Sequence, residues 1–215
     1  MLLLQSLKNV LYINLDERPD RKTEVESELE KVGFTSYMRF PAIRMHPGDL
    51  GCSISHIECI TMARDAGWDY VVVFEDDVVF TNPDLFMRQL EGFLKAHPDD
   101  WDFLFLGGNN AGAFSKIDEY CVKVSRCQTS FAYIVKQHYY NTLIECIQSN
   151  IEKQMTTVSD SGSYAIDMSW FHLQERDRWF LLTPLSLIQR PNYSDIIGCD
   201  TDYTKNLLSL EFSFT

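Results

Sequence analysis

Val71-Val72-Val73-Phe74-Glu75-Asp76-Asp77-Val78-Val79-Phe80 is an apolar, largely β-branched run cut by three adjacent carboxylates. A non-alternating apolar run of this length reads as a strand buried on both faces of a parallel sheet. Three ionised carboxylates cannot stay unpaired in such a core, where burial costs several kcal/mol. The triplet is therefore predicted at the strand's carboxyl end, where open α/β sheets bind ligands. Along an extended chain, alternation would turn Glu75 and Asp77 to one side and Asp76 to the other. Clustered carboxylates suit Mg²⁺ or Mn²⁺, which bridges one or two of them to substrate phosphates. A solvated acidic turn is the plainer alternative.

Working outward, 215 residues suit one large domain or two small ones with a substantial core. The chain is 45% apolar and 23% charged, as soluble globular proteins are, with 31 Asp and Glu against 19 Lys and Arg. A net charge of −12 argues against nonspecific nucleic-acid binding and against anionic membrane surfaces. It also favours a cation between the protein and any phosphate ligand. The six cysteines show no C-x-x-C pair and no zinc-finger spacing, so they read as buried free thiols in a reducing compartment. Met1-Leu2-Leu3-Leu4 is too short for a signal-peptide core, and no apolar run reaches the ~20 residues that span a bilayer. The expectation is a soluble, cytoplasmic chain.

Val10 to Leu15 reads as a first buried strand. Asp16-Glu17-Arg18-Pro19-Asp20-Arg21 leads into a helix that Gly33 ends, with Pro19 in its first turn. No Gly-rich phosphate fingerprint follows the strand. Arg18 and Arg21 could hold a diphosphate instead, or be surface arginines paired with Asp16, Glu17 or Asp20. Tyr37 to Ile43 reads as a short strand, and a helix runs from Gly51 to about Ala66. His56 within it reads as a hydrogen-bonded structural residue. Asn82-Pro83 caps a helix to about Ala96. Trp101 to Leu106 is a strand ending in Gly107-Gly108-Asn109-Asn110, where two glycines permit either close approach to a ligand or a tight turn. Tyr120 to Val124 and Ser130 to Val135 read as strands, and Gln137 to about Ile151 as a helix. Thr156 to Gly162 reads as a mobile loop and Ser163 to Leu173 as a helix. Trp179 to Leu182 and Leu185 to Gln189 read as strands, with Arg190 and the tail irregular.

Several of these stretches, in order, resemble glycosyltransferase family 25, which includes bacterial lipooligosaccharide and animal collagen galactosyltransferases. They are Tyr12 through Arg21, Gly51 through His56, Val73 through Val78, Trp101 through Gly108, Ala132 through Val135, Ala165-Ile166-Asp167, and Pro184-Leu185 through Gln189 to Ser194-Asp195-Ile196. Pro47-Gly48-Asp49-Leu50 before Gly51 departs from the Gly-Glu-Ile-Gly often found there. The resemblance implies an α/β GT-A fold, Rossmann-like, with a mostly parallel central sheet flanked by helices. It implies one domain over residues 1–215, with a nucleotide-sugar half to about 110 and an acceptor half from about 111.

The activity implied is transfer of a hexose from a nucleotide diphosphate sugar, UDP-hexose first, to a hydroxyl of a saccharide or glycoconjugate, with inversion. Glu75-Asp76-Asp77 would be the DXD-like metal motif, Asp77 foremost, holding Mn²⁺ or Mg²⁺ against the diphosphate. Asn14, Leu15, Asp16, Arg18, Arg21, Ser55, Gly107 and Gly108 are the expected donor-site residues. Asp167 is the expected general base, and its place in a first helical turn favours the ionised form. His172 is a candidate metal ligand, although five residues at about 100° each put it roughly 140° around a helix from Asp167. Glu175 and Asp195 are weaker candidates. The rivals are a metal-dependent nucleotidyltransferase, for which no triphosphate-cradling loop is visible, and a non-catalytic nucleotide-sugar or carbohydrate-binding module.

Overall fold

A computed structural model describes residues 7–156 and 165–210. The expected loop over 157–162 and the opening Met1 to Leu4 lie outside the described residues.

The apolar runs do form strands: β1 (Val10–Asn14), β2 (Met38–Pro41), β3 (Tyr70–Glu75) and β4 (Val78–Phe80), then β5 (Phe103–Phe105), β6 (Asn109–Asn110) and β7 (Phe114–Lys116). The second half supplies β8 (Cys121–Val124), β9 (Cys127–Gln128), β10 (Ala132–Lys136), β11 (Trp179–Leu182), β12 (Leu187–Gln189), β13 (Asn192–Ser194) and β14 (Cys199–Thr201). The helices are α1 (Pro19–Lys31), α2 (Gly48–Asp65), α3 (Pro83–Ala96), α4 (Tyr140–Thr156), α5 (Ile166–Ser169), α6 (Phe171–Arg176) and α7 (Thr204–Leu207). Asn82 caps α3 as its sequence requires, its side chain accepting from the Leu85 N–H at 3.1 Å with Pro83 in the first turn.

The main sheet has eight strands in the order β2-β1-β3-β10-β5-β11-β8-β7. All but β8 and β10 run the same way, which makes the sheet mostly parallel by direction. Side-chain alternation divides each central strand between two cores. Val10, Tyr12, Val72, Phe74 and Ile134 face α1 and α3, packing with Val25, Leu29, Leu90 and Phe93. Leu11, Val71, Val73, Phe103 and Tyr133 face α2 and α4, packing with Ile57, Ile60, Leu143 and Ile147. Burial on both faces is why β3 reads as an unbroken apolar run.

Four expectations are corrected in detail. β3 is parallel to β1 but antiparallel to β10, which returns between β3 and β5. The acidic run is two strands, for the chain turns at Asp76–Asp77 and β4 leaves the main sheet to pair with β12. The segment from Arg190 is regular: β13 and β14 form a hairpin, with Gly198 at φ +80° donating to the Ser194 carbonyl at 2.7 Å. Ser163 and Tyr164 lie outside the described residues, and the helix expected there divides at Trp170 into α5 and α6. That break turns the fully buried Trp170 ring against Phe103, Phe105, Tyr133 and Trp179.

Candidate active site

The parallel register of β1 and β3 sets Ile13 against Glu75, so their carboxyl ends, Asn14 and Asp76, emerge side by side. The Asn14 amide reaches Asp76 Oδ2 at 2.7 Å. Arg39 on β2 fixes that orientation by donating to Asn14 Oδ1 at 2.9 Å, which leaves the amide N–H groups facing Asp76. From α1, Arg21 donates to Asp76 Oδ1 at 3.0 Å and stands 3.9 Å from Asp77 Oδ2. The antiparallel β10 brings its start, not its end, to the same corner. Ser130 donates to Glu75 Oε1 at 2.7 Å, and the Glu75 N–H donates to the Phe131 carbonyl at 2.7 Å. His56, fully buried on α2, stands 3.2 Å from Glu75 Oε1 through Nε2 and 3.0 Å from the Tyr133 hydroxyl through Nδ1. A carboxylate only accepts, so Nε2 carries a proton towards Glu75.

Glu75, Asp76 and Asp77 all line one cavity of about 730 Å³ at the carboxyl ends of β1 and β3. The extended-chain alternation does not divide them, because Asp76 and Asp77 belong to a turn. Their electrostatics differ. Burial disfavours the Glu75 carboxylate, but hydrogen bonds from His56 and Ser130, with the charges of His56 and Arg21, outweigh it and lower its pKa. Burial raises Asp76, with Asn14 and Arg21 opposing. Asp77 is pushed up to about 8, by burial first and then by the neighbouring charges of Glu75 and Asp76. Its Oδ2 has the Gln189 amide at 3.4 Å, and its buried Oδ1 has no hydrogen-bond partner among the described residues. A buried carboxylate oxygen without a partner, beside two further carboxylates, fits a divalent cation. Cys52, His56 and Glu75 also present ligand atoms within 4.8 Å of one another. Burial there raises the thiol well above its ordinary value, and a hard cation prefers oxygen. The carboxylates are the better fit for Mn²⁺ or Mg²⁺.

Of the other expected donor-site residues, Asn14, Leu15, Arg21 and Ser55 line this cavity. The Ser55 hydroxyl donates to the Gly51 carbonyl at 2.7 Å and accepts from the Ile43 N–H at 2.8 Å. Asp16 is exposed and paired with Arg39 at 2.6 Å. Arg18 does not line the cavity and is bound to Asp20 at 2.9 Å and to Asp195 on the hairpin at 2.6 Å. Asp195 lines the cavity. Gly107 and Gly108 line neither cavity described here. A Cβ at Gly107 would stand 2.6 Å from Phe131, and one at Gly108 2.4 Å from Cys127 Sγ, so both glycines admit protein neighbours. Gln189, from the last of the resembling stretches, also lines the cavity, with Arg44 and Arg190, which the sequence did not single out. So does Tyr203.

A second cavity of about 300 Å³ shares Cys52, Glu75, Gln189, Ser194, Ile196 and Tyr203 with the first and contains Asp167. Asp167 Oδ2 accepts from the Thr129 N–H at 3.0 Å. Its pKa is raised rather than lowered: burial leads, and the backbone N–H groups of α5 and Thr129 only partly offset it. A four-residue helix has little dipole to set against desolvation. His172 is exposed on α6, 3.1 Å from the Ser169 carbonyl, and lines neither cavity; Glu175 is likewise exposed. The structure does not bring these two to the carboxylates.

Comparison with solved structures gives a likeness of fold. A glycosyltransferase involved in the glycosylation of the major capsid of PBCV-1 superposes with a TM-score of 0.50 at 8% identity, over 82% of this chain and 81% of that one. A mannose-1-phosphate geranyltransferase from Thermus thermophilus gives 0.48 at 10%, over 81% and 73%. A Drosophila galactosyltransferase in complex with manganese, UDP-Gal and xylobiose gives 0.38 at 12%, over 62% and 50%. No curated protein sequence matches the chain. The architecture is the GT-A one expected from the motifs. The model of glycosyltransferase family 25 (LPS biosynthesis protein) matches residues 34–169, more than half of the sequence, and this chain belongs to that family of transferases.

Proposed function

We propose that this glycosyltransferase moves a hexose from a nucleotide diphosphate sugar, UDP-hexose first, to a hydroxyl of a saccharide or glycoconjugate, with a divalent cation and inversion of configuration. One domain carries both donor and acceptor regions. The observation that carries the reading is the unpaired, buried Oδ1 of Asp77 in a carboxylate corner of the larger cavity. Asp77 would hold the cation, with Asp76 or Glu75 beside it. When bound, Mn²⁺ or Mg²⁺ supplies positive charge against the diphosphate as it leaves.

The protein's own groups do the rest. Arg21 presents a guanidinium to the same corner, and Arg44 and Arg190 add positive charge to the wall. Asn14 and Arg39 hold Asp76 in position. The His56 and Ser130 hydrogen bonds keep Glu75 ionised. Asp167, across the wall shared with the second cavity, takes the proton of the acceptor hydroxyl as its oxygen attacks the anomeric carbon. A carboxyl whose pKa is raised by burial is a stronger base than an exposed aspartate, and so suits that task.

The test incubates the chain with a panel of nucleotide sugars and Mn²⁺, reading released diphosphate and the anomeric configuration of the product. UDP-hexose turnover that EDTA abolishes is expected. A rate unaffected by EDTA removes the cation, and a retained configuration removes the inverting role of Asp167.

A further inference from the structure

We propose that the smaller cavity is a subsite for a single pyranose ring, whose hydroxyls are read by Asn109 and Thr129. It deepens the proposed glycosyl transfer and rests on it only for what the sugar is attached to. At about 300 Å³ the cavity lies at the low end of ligand-site volumes and opens beside the larger one. Two of its wall residues carry a buried oxygen with no hydrogen-bond partner among the described residues: Asn109 Oδ1 and Thr129 Oγ1. Asn109 is 5% exposed, and its amide N–H reaches the Gln128 side-chain oxygen at 3.3 Å. That hydrogen bond orients the amide and leaves Oδ1 as the unpaired acceptor. Burying acceptors unpaired is unfavourable and contributes nothing to the core, so a hydroxyl-bearing guest is the partner they lack.

Thr129 adds an independent observation. Its φ is +76°, a left-handed conformation that a β-branched residue adopts only under strain and glycine adopts freely. The fold keeps a threonine there, and the same turn aims its N–H at Asp167 Oδ2. One strained residue thus ties the ring reader to the base. A site that hydrogen-bonds sugar hydroxyls discriminates strongly, because a missing or inverted hydroxyl leaves its own groups unpaired.

The test uses the full chain, Thr129→Gly and Asn109→Ala. Glycine adopts this φ freely, so Thr129→Gly relieves the backbone while it deletes the hydroxyl together with the rest of the side chain, and the variant folds. Methyl galactoside, methyl glucoside and UDP are titrated separately, and KM for a UDP-hexose and for an acceptor sugar is then measured. The subsite predicts at least roughly tenfold weaker binding of the preferred methyl glycoside in both variants, with UDP affinity unchanged. A rise in donor KM assigns the ring to the donor, and a rise in acceptor KM alone assigns it to the acceptor. Glycoside loss in a chain that binds no UDP upholds the subsite and removes the donor reading. Glycoside affinity and both KM values equal to those of the parent, or no glycoside binding by the parent, overturn the subsite.

Discussion

Asp77 and Asp102 are both enclosed aspartates at the ends of central strands, and they are treated in opposite ways. Asp102 precedes β5, at the amino end of a strand that runs in the same direction as β3. It accepts from the Arg178 backbone N–H at 2.9 Å, from the Arg178 guanidinium at 2.7 Å and from His138 at 2.8 Å. Burial opposes its charge, but these hydrogen bonds outweigh burial and lower its pKa. Asp77 follows β3 at the carboxyl end, with one long amide contact and an orphaned oxygen, and its pKa rises to about 8. The sheet neutralises charge at the end that only holds the fold together. At the end that faces the cavity it leaves one carboxylate oxygen, Asp77 Oδ1, without a hydrogen-bond partner among the described residues. Satisfaction, rather than burial, sets these two aspartates apart.

Breaking the carboxylate corner should give the largest effect. Asp77→Asn keeps the shape and removes the charge, and should lower kcat/KM by roughly three orders of magnitude. Above pH 8, where the metal-free carboxyl is ionised, the same variant should be no less stable than the parent, since an uncompensated buried charge is removed. For the metal-free protein the sign follows from linkage. Asp77 titrates near 3.8 when unfolded and near 8 when folded, so between those values the folded state binds more protons. Its contribution to stability therefore falls as pH rises from about 4 towards 8, and Asp77→Asn should flatten that part of the melting-temperature profile. Mn²⁺ should raise the melting temperature more at pH 8 than at pH 5.5, because the cation competes with the proton for the carboxylate. An equal rise at both values would separate the metal from Asp77.

Next in size is Asp167→Asn, expected to cost roughly 10²- to 10³-fold in transfer with UDP affinity unchanged. Its raised pKa places the acidic limb of the kcat/KM profile above the ordinary aspartate value, and the variant should lose that limb. A profile identical in shape for variant and parent would assign the limb to another group.

How much of this could be read beforehand divides along the same line. The Val71–Phe80 run had to become buried strand, and its acids had to emerge at an edge, because desolvation allows nothing else. Asn14 was legible through the resemblance to glycosyltransferase family 25, which placed it in the donor site. Ser130 and Tyr133 were not, since nothing local signals that β10 inserts antiparallel between β3 and β5. The β13–β14 hairpin was hidden because its residues are polar and partly exposed, and its order comes from Gly198 and from the Arg18–Asp195 pair 177 positions apart. Gly107 and Gly108 announced a close approach, but the approaching groups are Phe131 and Cys127. Asn109 and Thr129 carry no local pattern, and only the missing partners of their oxygens single them out.

The smallest expected effect comes from the satisfied end of the sheet and sharpens the contrast. Arg178→Ala removes the guanidinium from Asp102 but leaves the backbone N–H and His138 in place. The Arg178 side chain is 46% exposed, so solvent screens much of the pair, and a loss of only about 1–2 kcal/mol is expected. For a chain of this length that lowers the melting temperature by roughly 2–8 °C. Asp102 has a lowered folded pKa, so its stabilisation is present above the ordinary aspartate value and lost as pH falls through the folded one. The parent–variant difference should therefore be constant at neutral pH and shrink in acid. Transfer measured well below the melting temperature should be unchanged. A fall in kcat comparable with that of Asp77→Asn would mean that the two ends of the sheet are coupled, and that the division between a holding end and a working end is mistaken.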